Sequence, residues 1–184
     1  KSIDEHKARN RLAELLSVVR DEFLISPDQI FLKTRRKQKG TAQYQKHEKP
    51  ESQEKSFGLG PENEFTVVRE GDCEFYVHFE RYLDTGLFLD HRLTRDRVQQ
   101  LAAGKRLLNL FCYTGSATVH AAMAGARSTT SVDTSNTYLA WLRKNLAANG
   151  LAESRNHVIR ADCRDWLDKN EQQFDLIMLD PPSF

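Results

Sequence analysis

The chain has 184 residues, 39% of them hydrophobic, with 27 basic and 26 acidic side chains and a net charge of +1 at pH 7. That length holds one ordinary domain or two small ones, and the balanced charge excludes a uniformly basic nucleic-acid coat or an acidic tail protein. The longest unbroken apolar run, Tyr138–Leu142, falls far short of the ~20 residues of a membrane-spanning helix, and Cys73, Cys112 and Cys163, without a C-x-x-C pair, give neither a disulfide framework nor a zinc cluster, so the expected setting is cytoplasmic, without a metal.

Both ends read as cuts. Lys1 is no initiator, and Asp180-Pro181-Pro182-Ser183-Phe184 closes an apolar strand without a folded sequel, so the chain is expected to be an excerpt of a longer protein. The polar start is not the pattern of a secretory leader. Ser2-Ile3-Asp4-Glu5 has the form of a capping box, and Leu12, Leu15, Leu16, Val19 and Phe23 recur at helical spacing. This predicts a first helix of about twenty residues, stopped before Ser26-Pro27. Ile30–Lys33 reads as a short strand. Lys33–Glu64 is a polar insert in which only six of 32 residues are apolar or glycine. Its first half is basic, with Lys33, Arg35, Arg36, Lys37, Lys39, Lys46 and Lys49 against Glu48. Phe65–Arg69 and Cys73–Glu80 read as a hairpin around Glu70-Gly71-Asp72, with Phe75, Val77 and Phe79 on one face. Residues 1–82 are therefore expected to form a small α+β accessory domain.

From Asp90 the pattern changes to alternating helix and strand. Asp90 is placed to cap a helix through Leu101, with Gly104 as its stop. Strands are predicted at Arg106–Phe111, Ser128–Asp133, Asn156–Arg160 and Phe174–Asp180, with helices at Ser116–Ala124, Ser135–Asn149 and Asp165–Gln172 between them. The spacings leave room for helical crossovers, so residues 83–184 read as a parallel, doubly wound α/β sheet.

Ligands bind such sheets outside the carboxyl ends of the strands. Three of the four ends carry an aspartate: Asp133, Asp162 and Asp180. The first strand instead runs through Phe111-Cys112-Tyr113-Thr114-Gly115-Ser116 into a helix. One aspartate after a strand is ordinarily a helix cap, and one glycine is ordinarily a turn; their combination in this order is more specific. The turn has a single glycine where a dinucleotide fingerprint has three, and no G-K-[ST] phosphate loop is present, which suits a nucleoside-like ligand without a pyrophosphate. Asp133 follows the glycine turn at a distance suited to accepting both ribose hydroxyls. Cys112 and Cys163 read as small buried residues. His6, His47, His78, His120 and His157 read as surface or packing, and Trp141 and Trp166 as helix-borne core.

Leu110–Ser116, Val132-Asp133-Thr134-Ser135, Asp162-Cys163 and the terminal Asp-Pro-Pro-Ser-Phe resemble the successive motifs of class I S-adenosylmethionine-dependent methyltransferases. With Thr85–Arg92 and the basic insert, the nearest resemblance is to the K/L branch of bacterial large-subunit ribosomal RNA methyltransferases, whose K half modifies guanine N7. His91 stands where many relatives carry glutamine. The resemblance implies a Rossmann-like sheet of which the first four strands are present, preceded by the accessory domain, with S-adenosylmethionine as cofactor. It further implies that Asn109, Phe111, Tyr113, Thr114, Gly115 and Ser116 wrap the methionine part. Asp133 and Thr134 would take the ribose, and Asp162 and Cys163 the adenine. Phe88, Asp90 and Arg92 would cover the methionine end. Asp180, Pro181, Pro182 and Phe184 would receive the target base. Lys33, Arg35, Arg36, Lys37 and Lys39 would follow the RNA backbone, and a second methyltransferase domain could be fused upstream. Guanine N2 and cytosine C5 stay open as targets. A nicotinamide-dependent oxidoreductase and a non-catalytic RNA-binding module are the rivals from other classes.

Overall fold

The computed structural model describes residues 4–32, 64–80, 82 and 84–182. The chain divides into two compact units, Lys1–Gln45 and Lys46–Phe184. In the first, α1 spans Glu5–Phe23. Its N-cap is Asp4, whose carboxylate accepts the His6 N–H at 3.0 Å, which satisfies one of the free amides of the first turn. Ser2 of the expected capping box lies outside the described residues. Leu24 closes the helix in the left-handed region at φ 52°. A 3-10 turn follows at Pro27–Gln29, held by the Ser26 N–H donating to Gln29 Oε1. The strand expected from Ile30 does not form among the described residues: Ile30–Leu32 joins no ladder.

The second unit opens with β1 (Thr66–Glu70) and β2 (Cys73–Val77), an antiparallel hairpin in the expected place. Cys73, Phe75 and Val77 alternate onto a fully covered face, where they pack with Leu87, Cys112, Val119, Leu139, Leu142 and Leu146. The hairpin's apolar face has its partners on the α/β elements, within the second compact unit.

The next elements are α2 (Arg92–Ala102), β3 (Arg106–Leu110), α3 (Ser116–Met123), β4 (Ser128–Asp133), α4 (Asn136–Ala148), β5 (Asn156–Arg160), α5 (Cys163–Lys169) and β6 (Leu176–Leu179). The four later strands form one parallel sheet in the order β5-β4-β3-β6. The chain steps outward from β3 through β4 to β5, then crosses back to place β6 on the other side of β3. The strand order therefore reverses at β3, the position that opens a crevice at the carboxyl ends. Asp90 does not cap α2. A 3-10 turn at Leu89–His91 leads into it, and His91 occupies the cap position without a side-chain bond.

A hairpin edge is a row of unpaired amides and carbonyls that needs cover. Here α4 supplies it. Trp141, Asn145 and Asn149 recur every four residues on one helix face. Trp141 Nε1 donates to the Tyr76 carbonyl at 2.7 Å, Asn145 Oδ1 accepts the Tyr76 N–H at 2.9 Å, and Asn149 accepts the Glu74 N–H and donates to the Glu74 carbonyl. Three side chains thus stand in for a third strand. Gly86 lies against the same face: at φ 97° it takes a conformation open to glycine, and a Cβ there would come within 2.2 Å of the Trp141 ring.

The second tie is charged. Arg95 on α2 is 2% exposed and grips Glu70, the last residue of β1, through Nε and Nη2 at 2.6 and 2.8 Å. Glu70 Oε1 also meets His120 Nε2 at 3.0 Å, and His120 Nδ1 meets the Gln99 amide. Burial pushes the His120 imidazole below its ordinary range, and the Arg95 hydrogen bonds hold the Glu70 carboxyl below its own. Glu70 binds its proton more weakly folded than unfolded, so its stabilisation is full above its ordinary 4.5 and is lost as the pH falls below it. With His120 replaced by Gln, so that no imidazole of this cluster titrates in the same range, denaturation midpoints taken near neutrality and at pH ~4 are expected to fall more with Glu70 present than with Glu70→Gln. Equal falls would show that the pair contributes nothing to acid sensitivity.

Candidate functional site

The loop from Phe111 to Gly115, at the carboxyl end of β3, is built under strain. Phe111, Tyr113 and Gly115 have φ of 54°, 52° and 73°. Such angles cost a non-glycine residue roughly 1–3 kcal/mol and persist only where the surroundings over-determine them. The surroundings do so at every residue. The Phe111 N–H donates to Cys163 Sγ, the Cys112 N–H to the Val132 carbonyl, and the Tyr113 N–H to Asp133 Oδ2 at 3.0 Å. Thr114 Oγ1 donates to the Gly86 carbonyl at 2.6 Å, while its own carbonyl accepts from Asn145 Nδ2. Gly115 is the N-cap of α3, and a Cβ there would come within 2.3 Å of Leu142. The close approach that Gly115 permits is therefore between α3 and α4.

Two aspartates flank this loop because β4 and β6 flank β3. Asp133 ends β4 part-buried. Its Oδ2 accepts the Tyr113 N–H and its Oδ1 the Ser135 N–H at 2.9 Å, leaving one lone pair on each oxygen. Burial raises its pKa, with the backbone bonds acting in the other direction. Asp180 follows β6 and is half-exposed, and its Oδ2 lies 3.4 Å from His91 Nδ1. Asp162 caps α5: its Oδ1 accepts the Arg164 and Asp165 N–H groups, and its other oxygen accepts none of these bonds.

An aromatic row crosses the same face. The rings of His91 and Phe88 are 6.1 Å apart, Phe88 and Tyr113 5.1 Å, and Tyr113 and Tyr138 4.5 Å. The Tyr113 hydroxyl is enclosed without a hydrogen-bond partner among the described residues. The Phe88 carbonyl accepts Arg95 Nη1 at 2.8 Å, which ties this row to the Glu70–His120 network.

Some expected site residues turn away from the crevice. Asn109 is 3% exposed and donates to Thr118 Oγ1, which contacts Ser131 Oγ at 2.7 Å; it braces α3 on the sheet. The Thr114 side chain is committed to Gly86, and the Cys163 thiol is buried between the Phe111 amide and the Val132 carbonyl. The Phe111 ring packs with the Leu108, Leu110 and Val132 core. Thr134, Asp90, Arg92, Pro181 and Pro182 are exposed, and Ser116 is half-buried in the first turn of α3. Phe184, Lys33, Arg35, Arg36, Lys37 and Lys39 lie outside the described residues. Arg95, Glu70 and Asn145 were not anticipated, and His120, read as surface or packing, is a buried hydrogen-bonded residue. Arg95 and Glu70 are 25 positions apart, His120 and Glu70 50, and Asn145 and Thr114 31, beyond any local pattern.

Comparison with known proteins gives three results. The family model described as S-adenosylmethionine-dependent methyltransferase matches residues 33–184. The ribosomal RNA large subunit methyltransferase K/L of Cellvibrio japonicus is 50% identical over the whole chain, which spans 23% of that protein's length. Among solved structures, SMU.776, described as a methyltransferase complexed with SAH, superposes with a TM-score of 0.63 at 36% identity, over 66% of this chain and 33% of that one. A SAM-dependent methyltransferase from Agrobacterium tumefaciens gives 0.61 at 28% identity, over 65% and 40%.

Proposed function

The chain belongs to the S-adenosylmethionine-dependent methyltransferase family, and from that premise we propose that it methylates N7 of a guanine in large-subunit ribosomal RNA, in the cytoplasm. The observation that carries the site assignment is the pair of carboxylates either side of the strained β3 loop: Asp133 at the end of β4 and Asp180 at the end of β6. The K/L name of the relative supports the RNA.

The donor set fits the cofactor. Asp133 keeps a lone pair on each oxygen for two ribose hydroxyls, and Asp162 keeps an oxygen for the adenine amino group. Thr134 and Cys163 would edge the ribose and adenine. Phe88 and Tyr113 would wall the methionine end, with Asp90, Arg92, Phe111, Gly115 and Ser116 around it, and the enclosed Tyr113 hydroxyl is a polar atom still to be matched. Asn109 and Thr114 would act from beneath, by fixing the loop. When bound, S-adenosylmethionine supplies a methyl group on a sulfonium, open to in-line displacement. Guanine N7 presents an in-plane lone pair, so no residue has to remove a proton. The work left to the chain is alignment, which can supply roughly 7–11 kcal/mol. Asp180 would accept from the guanine N1–H and amino group, with Pro181, Pro182 and Phe184 completing the base site.

Mass spectrometry of ribosomal RNA from a deletion strain tests the target: one guanine is expected to lose its N7 methyl. Loss from a cytosine, with guanines intact, would refute this reading.

The basic segment Lys33, Arg35, Arg36, Lys37 and Lys39 would follow the RNA backbone as part of an accessory region over residues 1–82. Reversing Arg35, Arg36 and Lys37 to Glu is expected to weaken RNA binding and flatten its salt dependence, since fewer counterions are released. An unchanged salt slope in a filter-binding titration would remove the segment from the interface.

A further inference from the structure

The three strand-end aspartates are held in different ways. Both oxygens of Asp133 accept backbone N–H groups, and Asp162 accepts two through Oδ1. Asp180 has no backbone amide on its carboxylate among the described residues. Its ion-pair partner among the described residues is His91, with Nδ1 at 3.4 Å from Oδ2, and His91 Nε2 lies 4.0 Å from Asp90 Oδ2. His91 in turn is well founded. It ends the Leu89–His91 turn, where its N–H donates to the Phe88 carbonyl at 3.3 Å, and its ring lies against that of Phe88. The same carbonyl accepts Arg95 Nη1, and Arg95 is locked on Glu70. A continuous set of contacts thus runs from the hairpin through α2 and the 3-10 turn to one oxygen of Asp180.

We infer that His91 is a positioning residue for Asp180: its protonated Nδ1 restrains Oδ2 through one lone pair and leaves Oδ1 and the other Oδ2 lone pair to accept from the target base. This rests on the reading of Asp180 as the base acceptor. A half-exposed carboxylate at a strand end samples several rotamers, and each one away from the base is lost to the reaction. The separation of 3.4 Å is long for a hydrogen bond; such contacts in a free enzyme commonly tighten when substrate arrives. Pro181 and Pro182 stiffen the backbone that follows, so the side-chain torsions are the freedom left to restrain.

A double-mutant cycle in the intact protein tests this, with protein-free ribosomal RNA from a deletion strain as substrate and S-adenosylhomocysteine titrated by calorimetry. His91→Ala is expected to lower kcat about tenfold with unchanged affinity for S-adenosylhomocysteine. His91→Gln, whose amide also donates, is expected to recover most of that loss. On an Asp180→Ala background, His91→Ala is expected to add less than about twofold, because it acts through the removed carboxylate. A full tenfold loss on that background, or none in the wild type, would overturn the inference while leaving Asp180 as acceptor. If Asp180→Ala alone left turnover intact, the base-site reading would fail, and this inference with it.

Discussion

Asp180→Ala is expected to lower turnover by roughly 100-fold while changing affinity for S-adenosylhomocysteine by less than about twofold. With Asp180 in the proposed base site, the size follows from two charge-assisted hydrogen bonds to the guanine edge, each worth about 1.5–3 kcal/mol, less the water that replaces them. The selectivity follows from topology. Asp180 follows β6 on one side of β3, whereas Asp133 ends β4 and Asp162 follows β5 on the other. Asp180→Asn should be the milder change, since an amide oxygen still accepts and no proton has to leave N7. Single-turnover methylation of ribosomal RNA, with calorimetry on the same preparations, separates the two effects. Equal losses in turnover and cofactor affinity would move Asp180 from the base site to the cofactor.

Asp133→Ala should act on the opposite quantity, weakening S-adenosylmethionine binding at least ~10-fold through the lost charge-assisted bonds. Two consequences compound here. On the proposed assignment the ribose loses its acceptor; the Tyr113 and Ser135 amides lose theirs, which frees a loop whose φ of 52° at Tyr113 is kept only by its surroundings. Asp133→Asn keeps an oxygen for one amide and should fall between the wild type and Asp133→Ala. Burial raises the Asp133 pKa, so cofactor affinity should decline on acidification earlier than an ordinary carboxylate at 3.8 would dictate. Calorimetry showing unchanged affinity for Asp133→Ala would detach this residue from the cofactor.

Much of this site was legible in the sequence because its signals are local. Strands β4 and β5 begin and end at the expected residues, and α3, α4 and α5 start and stop within a few residues of expectation. Caps, glycine stops and apolar runs each depend on a few neighbours along the chain. An aspartate directly after a strand stands at the carboxyl end of the sheet wherever that strand goes. What stayed hidden was which way side chains turn. Both faces of a parallel sheet are covered, so alternation disappears from the sequence. Leu108 and Leu110 face α5, while Asn109 between them faces α3. An asparagine expected at the ligand is for that reason a brace.

Long-range pairing decided the remainder. Arg95 finds Glu70 across 25 positions, and Asn145 and Asn149 find the open edge of β2 across about seventy. The hairpin was expected to close an N-terminal domain, yet its apolar face is filled by residues of the β3 loop, α3 and α4. By itself the sequence determined the elements and the aspartates at the strand ends. Only the tertiary structure decided that β6 returns beside β3, which brings Asp180 to His91 and puts a second carboxylate across the loop from Asp133. That choice is made by burying Leu176 and Met178 of β6 against Val98, Ala102, Leu107 and Ala121. The free energy of that contact belongs to residues spread over eighty positions, and no window along the chain contains it.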